Sequence, residues 1–292
     1  MKQNLKRRPS SRKSAGAVLA GGAALAGAAA YCAWENHALT VGRYQVRIGL
    51  PEPLTIVSLA DLHGKTFGGR LLSRTAALSP DLIVLPGDTV SADCRHVSAV
   101  SSLLRQLGTI APVVMIPGNH EQRSGRLEEL SARFERAGAH VLRNEQIDLT
   151  LRGMPVHLLG LAERLAVSRL DYLRAAAGRL EYPDHDAALL SLAREEGLRI
   201  VLSHFPELFA GIGERSYRRF SFDLMFSGHA HGGQVRLPGV GGLYAPGQGF
   251  LPRYDAGVYG EGPRLIVSRG LGNDSLVPRI ANRPEIVCVT VR

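Results

Sequence analysis

TIVSLADLH, residues 55–63, is a short run of β-branched and small apolar residues that stops abruptly at Asp61, Leu62 and His63. The layout recurs. LIVLP (82–86) ends in Gly87-Asp88, VVMIP (113–117) in Gly118-Asn119-His120-Glu121, RIVLS (199–203) in His204, and DLMFS (223–227) in Gly228-His229-Ala230-His231. A sixth run, VHLLGL (156–161), lacks the polar ending. Runs of this length and composition read as strands buried on both faces. Between them, FGGRLLSRTAALS (67–79), RHVSAVSSLLRQLG (95–108), GRLEELSARFERAG (125–138) and DAALLSLAREEG (186–197) carry apolar residues at helical spacing. The alternation predicts an α/β fold with helices outside a sheet core. Beyond residue 228 the chain turns rich in Gly and Pro, and LIVSRG (265–270) and EIVCVTV (285–291) read as antiparallel strands completing a second sheet. One catalytic domain over 40–292 is the expected organisation.

In open α/β sheets the carboxyl ends of strands face the ligand crevice, so the five polar endings are expected to converge. They hold five of the ten histidines: His63, His120, His204, His229 and His231. The remaining five, His37, His96, His140, His157 and His185, have no such context and read as surface or packing residues. Residues i and i+2 of an extended segment point to one side, which would aim Asp61 with His63, and His229 with His231, in common directions. With Asp88, Asn119 and His204 this makes seven oxygen and nitrogen donors. Seven exceed the need of one ion but suit two divalent ions sharing a bridging carboxylate; without thiolates, Mn, Fe or Zn are the fitting metals. Gly228, Gly232 and Gly233 would let the backbone approach such a centre closely.

The chain has 292 residues, 45% of them hydrophobic, enough for a substantial core. Its net charge of +9 is concentrated at the start, where Lys2, Lys6, Arg7, Arg8, Arg12 and Lys13 make residues 1–14 a basic tail; the remainder carries +3. A nucleic-acid partner is therefore not expected. The uncharged stretch AGAVLAGGAALAGAAAYCAW (15–34) reads as a transmembrane anchor or an export signal, with Ala28-Ala29-Ala30 offering a cleavage site and Arg7-Arg8 resembling a twin-arginine signal. Positive charge before it predicts the N-terminus inside and the catalytic domain outside the cytoplasmic membrane, either anchored or exported and cleaved. The third reading of this stretch is a helix packed on the domain. Cys32, Cys94 and Cys288 are too few and scattered for a disulfide framework or a zinc ribbon.

The ordered set DLH, GD, GNHE, a lone His and GHAH resembles the calcineurin-like metallophosphoesterases. The segments HGGQ (231–234), VSRGLGNDS (267–275) and NRPEI (282–286) resemble the bacterial YkuE/YaeI-type branch in particular. The resemblance implies two packed mixed β-sheets flanked by helices. It further implies Asp61, His63 and His231 on one metal ion, Asn119, His204 and His229 on the other, and Asp88 between them. His120 would stand beside the substrate phosphate as proton donor or transition-state stabiliser, with Glu121 orienting His120 or a ligand. The activity implied is hydrolysis of a phosphodiester or pyrophosphate bond by a water activated between two metal ions, on a phosphorylated small-molecule or lipid-linked substrate. Alternatives are a lipid enzyme similar to UDP-2,3-diacylglucosamine pyrophosphate hydrolases of lipid A synthesis, a nuclease of the same superfamily, and a non-catalytic binding module. GDTVSADCR (87–95) lacks the DRG element of the protein phosphatases, which argues against a phosphoprotein substrate.

Overall fold

Side chains alternate between the faces of a strand, so a run that is apolar at every position must be covered on both sides. The computed structural model, which describes residues 11–163, 184–211, 216–275 and 277–292, does this with two stacked six-stranded sheets. The first has the order β1 (Thr40–Val46), β16 (Glu285–Val291), β2 (Leu54–Ser58), β3 (Leu82–Pro86), β4 (Val113–Ile116), β5 (Ala139–Val141). The second has the order β14 (Gly257–Tyr259), β15 (Arg264–Val267), β9 (Leu224–Ser227), β8 (Leu198–Leu202), β7 (Met154–Gly160), β6 (Glu145–Leu151). All six apolar runs are strands, and both sheets mix parallel with antiparallel pairs.

Alternation decides which side chains meet. Ile56, Val84 and Val114 of the first sheet pack against Leu158, Ile200 and Phe226 of the second, all fully buried. Their neighbours Val57, Ile83 and Leu85 face outward. Helices α1 (Ser11–His37), α2 (Arg70–Ala76), α3 (Val97–Leu107), α4 (Asn119–Arg123), α5 (Leu127–Glu135) and α6 (Asp186–Leu192) are the α-helices of the described residues. On α3, Val97, Val100, Leu104 and Leu107 share one face at three- and four-residue spacing and join the core on the outer side of the first sheet. Leu189 and Leu192 of α6 cover Val201 and Met225 on the outer side of the second.

Two expectations for the C-terminal strands are corrected. β15 runs parallel to β9, because β14, three half-buried residues that the apolar pattern does not mark, first carries the chain back. β16 does not enter the second sheet. It lies in the first, antiparallel to β2 and parallel to β1, a position that suits a strand buried at six of its seven residues. Between β9 and β14 the chain forms two small ribbons, β10 (Arg236–Leu237) with β11 (Gly241–Gly242) and β12 (Tyr244–Ala245) with β13 (Gly249–Phe250).

For the transmembrane anchor or export signal expected at 15–34, no helix among the described residues is long and apolar enough to cross a membrane. The segment is helical, as part of α1. Its last turn docks on the domain. Glu35 is buried, Asn36 exchanges hydrogen bonds with the backbone of Arg279, Lys65 donates to the Asn36 carbonyl, and the Arg283 guanidinium lies over the Trp34 ring. The Arg7-Arg8 pair and the basic tail through Ser10 fall outside the described residues.

Candidate metal centre

The five polar endings lie at the carboxyl ends of β2, β3, β4, β8 and β9, and the parallel arrangement of β2, β3 and β4 in one sheet and β8 with β9 in the other gathers them at one edge. Past β2 the chain stays bonded to its neighbour, with Asp61 N–H donating to Gly87 O and His63 N–H to Asp88 O. The segments are not extended, however. Asp61, His63, Asp88, His229 and His231 all have φ between 46° and 64°. The expected strand-like alternation is therefore not what aims these pairs; successive left-handed turns do. Each such residue costs on the order of 1–3 kcal/mol, a strain that clusters at functional sites and is held by surrounding bonds.

The donors fall into overlapping groups. Ligand atoms of Asp61, His63 and His231 lie within 4.8 Å of one another, as do those of Asp88, His204 and His229, and those of His63, Asp88 and His120. Asn119 joins the second group, its Oδ1 3.1 Å from His204 Nε2. Asp88 Oδ2 stands between the groups, 3.3 Å from His204 Nε2 and 3.8 Å from His63 Nε2. All seven expected donors and His120 thus occur in one place, and none of the other five histidines joins these groups.

The residues fit divalent cations. Asp61 Oδ1 accepts from His229 N–H at 3.0 Å, but Oδ2 is buried with no hydrogen-bond partner, and so is His229 Nε2. His63 Nε2 and His231 Nε2 face each other at 3.3 Å. Burial lowers His63 to about 4 and holds His229 and His231 well below the usual imidazole range, which leaves neutral rings with lone pairs to offer. Burial likewise raises Asp61 to about 7. It would also raise Asp88, but the charge of His204 and its hydrogen bond outweigh burial and keep that carboxyl well below its ordinary value. On His204 burial opposes a charge, yet Asp88 and Asp61 raise it to about 10, so a cation is favoured where Asp88 and His204 meet. His204 Nδ1 donates to Pro86 O at 2.8 Å, which fixes the ring and turns Nε2 toward the centre.

Glycine is required where the loops close in. A Cβ on Gly228 would sit 2.8 Å from both Asp61 carboxylate oxygens, and one on Gly232, whose φ is 63°, would sit 2.3 Å from Asn282 Oδ1.

Glu121, expected to orient His120 or a ligand, makes its side-chain hydrogen bonds to the loops that carry the ligands rather than to the His120 ring. It is buried; its Oε2 accepts from Gly118 N–H at 2.8 Å and Asp88 N–H at 3.1 Å, and its Oε1 from Val90 N–H at 2.9 Å. The carboxylate therefore ties the loop carrying Asp88 to the loop carrying Asn119. His120 is held elsewhere: Ala92 N–H points at Nδ1 (3.3 Å), and Asp274 Oδ2 lies 3.5 Å from the same atom. Three supporting residues come from the C-terminal loop and have no motif of their own. They are Asp274; Arg279, fully buried with Nη2 3.2 Å from His231 Nδ1; and Asn282, fully buried and donating to the His231 carbonyl at 2.7 Å. The only signal in the sequence for Asp274 and Asn282 is the similarity of the segments that hold them, VSRGLGNDS and NRPEI, to a family branch; Arg279 lies in neither.

Residues 54–233 match the calcineurin-like phosphoesterase family. The chain is similar to Phosphodiesterase YaeI of Escherichia coli, with 32% identity over 243 residues covering 80% of each chain. It is similar to metallophosphoesterase YkuE of Bacillus subtilis, with 28% identity over 291 residues covering 96% of this chain and 93% of that one. YpbG of Bacillus subtilis is 26% identical over 241 residues, covering 82% and 81%.

Proposed function

Because this chain belongs to the calcineurin-like phosphoesterase family, and is thereby a metal-dependent hydrolase of phosphoric esters, we propose that it cleaves a phosphodiester or pyrophosphate bond at the centre formed by Asp88 and its neighbours. The observation that carries the reading is the place of Asp88 Oδ2 within reach of both His63 and His204. Asp61, His63 and His231 would hold one divalent ion, Asn119, His204 and His229 the other, and Asp88 both. When bound, such a pair of ions supplies an acidified water as nucleophile and positive charge for the phosphoryl oxygens.

The chain's own residues do the rest. His120, whose Nδ1 lies 3.5 Å from Asp274 Oδ2, acts as the imidazolium, giving a ring proton to the leaving oxygen and returning to neutral imidazole. Glu121 keeps Asp88 and Asn119 in register through three backbone amides. Burial of Asp61, Asp88, Asn119 and His204 excludes bulk water from the back of the site, where charge interactions gain strength. The name of the YaeI relative supports the diester assignment, and a pyrophosphate presents the same in-line geometry. The substrate is then a phosphorylated small molecule.

The test uses the full chain loaded with Mn and compares p-nitrophenyl phosphate, bis-p-nitrophenyl phosphate and a nucleoside diphosphate ester. Preference for the second or third substrate is expected, and His120→Ala should lower kcat by roughly 10²–10⁴-fold. Activity that survives both chelation and His120→Ala would overturn the reading.

A further inference from the structure

A groove of about 350 Å³ opens directly beside the candidate centre, and His231 belongs to both. Its walls are Val235, Leu243, Tyr244, Pro246 and Val277, and no carboxylate, lysine or arginine lines it. The two wall segments are tied together. Val235 bridges Ile280, Arg236 N–H donates to Ile280 O at 3.0 Å, and Gln234 Nε2 donates to Asn273 Oδ1 at 2.9 Å.

The surface around the groove is unusual in the same way. Leu237, Tyr244, Phe250, Leu251, Val277 and Ile280 are large apolar side chains exposed to solvent, Phe250 at 83%. Apart from those on α1 and Leu190, every exposed large apolar side chain among the described residues lies in 237–251 or 277–280. Apolar exposure concentrated in one place marks a binding surface, whereas scattered apolar residues need no explanation.

We propose that this groove binds an alkyl or acyl chain carried on the phosphoester substrate. The inference rests on reading Asp61, His63 and His231 as part of a phosphoester-hydrolysing centre. A phosphorus atom held there places one ester substituent at His231, the residue where the groove begins. A sugar or nucleobase in that position needs several polar partners, and the lining offers few beyond Gln234 and Ser275. A hydrocarbon chain needs none, and it gains from leaving water along its whole length. The metal end and the groove thus select the two ends of one amphiphile.

The experiment uses the Mn-loaded full chain and p-nitrophenyl phosphodiesters whose second ester group runs from ethyl to dodecyl, below their micelle-forming concentrations. Water and diester give the alkyl phosphate and p-nitrophenol. The expected kcat/KM rises by about fourfold for each methylene buried, until the groove is full. Calorimetry should give a tighter Kd and a more negative heat-capacity change for dodecyl phosphate than for ethyl phosphate. Val277→Asp should flatten the dependence on chain length and Val277→Ile should keep it. Leu190→Asp, an exposed substitution far from the groove in the chain, should leave the wild-type slope. Equal kcat/KM for ethyl and dodecyl esters, or a rise seen only above micelle formation, overturns the groove proposal while the hydrolase reading stands. Failure to hydrolyse any ester, together with failure to bind Mn, overturns the hydrolase reading itself.

Discussion

Arg279 Nη2 lies 3.2 Å from Nδ1 of His231, and the same guanidinium donates from Nε to Gly272 O and from Nη1 to Arg269 O. One fully buried side chain therefore fixes a candidate ligand and satisfies two loop carbonyls behind it. Arg279→Leu strands those acceptors and should cost about 2–4 kcal/mol of stability. Arg279→Lys keeps the charge but loses the planar fork and should recover less than half. Urea unfolding of the full chain checks both, and a wild-type midpoint for Arg279→Leu contradicts the structural role.

The two donor groups share Asp88 but divide the GHAH histidines. His229→Ala and His231→Ala should each lower bound Mn, from two ions per chain toward one. Asp88→Asn should lower both. Elemental analysis after dialysis gives the stoichiometry, and two full-occupancy ions in either histidine variant would show that the assignment is wrong. Chelation should remove activity from the wild type, and Mn should restore it.

Glu121 touches no ring in the centre, yet three backbone amides converge on it. Glu121→Gln replaces one accepting oxygen by a donor facing an N–H. The expected loss is about 1–3 kcal/mol of stability, with a raised Mn requirement for activity. A Mn titration of activity separates this positioning role from chemistry: at saturating Mn the variant should recover most of its kcat.

Glu163 is buried, and burial pushes its carboxyl from 4.5 to about 7. Between these values the folded chain keeps a proton that the unfolded chain has released. Its contribution to stability is thus fully present below 4.5 and is lost as pH rises to about 7. Metal-free protein should be more resistant to urea at about pH 5 than its other groups alone allow, and Glu163→Gln should flatten the slope between about pH 5 and about pH 8. An unchanged slope in that variant would contradict the assignment.

The strand ends were legible in the sequence because a run buried on both faces has no reason to stop at Asp, Asn or His unless those side chains have work at the edge. β1 and β6 were not legible: Arg43, Gln45, Glu145 and Asp148 interrupt their apolar patterns at exposed positions. The convergence of Asp61 with His63 was foreseen for a reason that the backbone does not obey, since a left-handed φ at a particular Asp or His cannot be read from residue type alone. Arg279 and Asn282 were out of reach because a buried arginine and a surface arginine look alike in one dimension, and their partners lie about fifty residues away. The placement of β16 was missed for the same cause, a pairing between Val287 and Ser58 that no local signal specifies.

That pairing also orders the birth of the fold. On the ribosome β2, β3 and β4 emerge early and can pair as neighbours, so the loops bearing Asp61, Asp88 and Asn119 gain a scaffold well before synthesis is complete. β1 emerges before them all, yet its only sheet partner among the described residues is β16. Until β16 is translated, β1 and the flank of β2 remain open edges, vulnerable to intermolecular pairing. A nascent chain stalled before Glu285 would carry most of the candidate centre on a sheet still missing an interior strand.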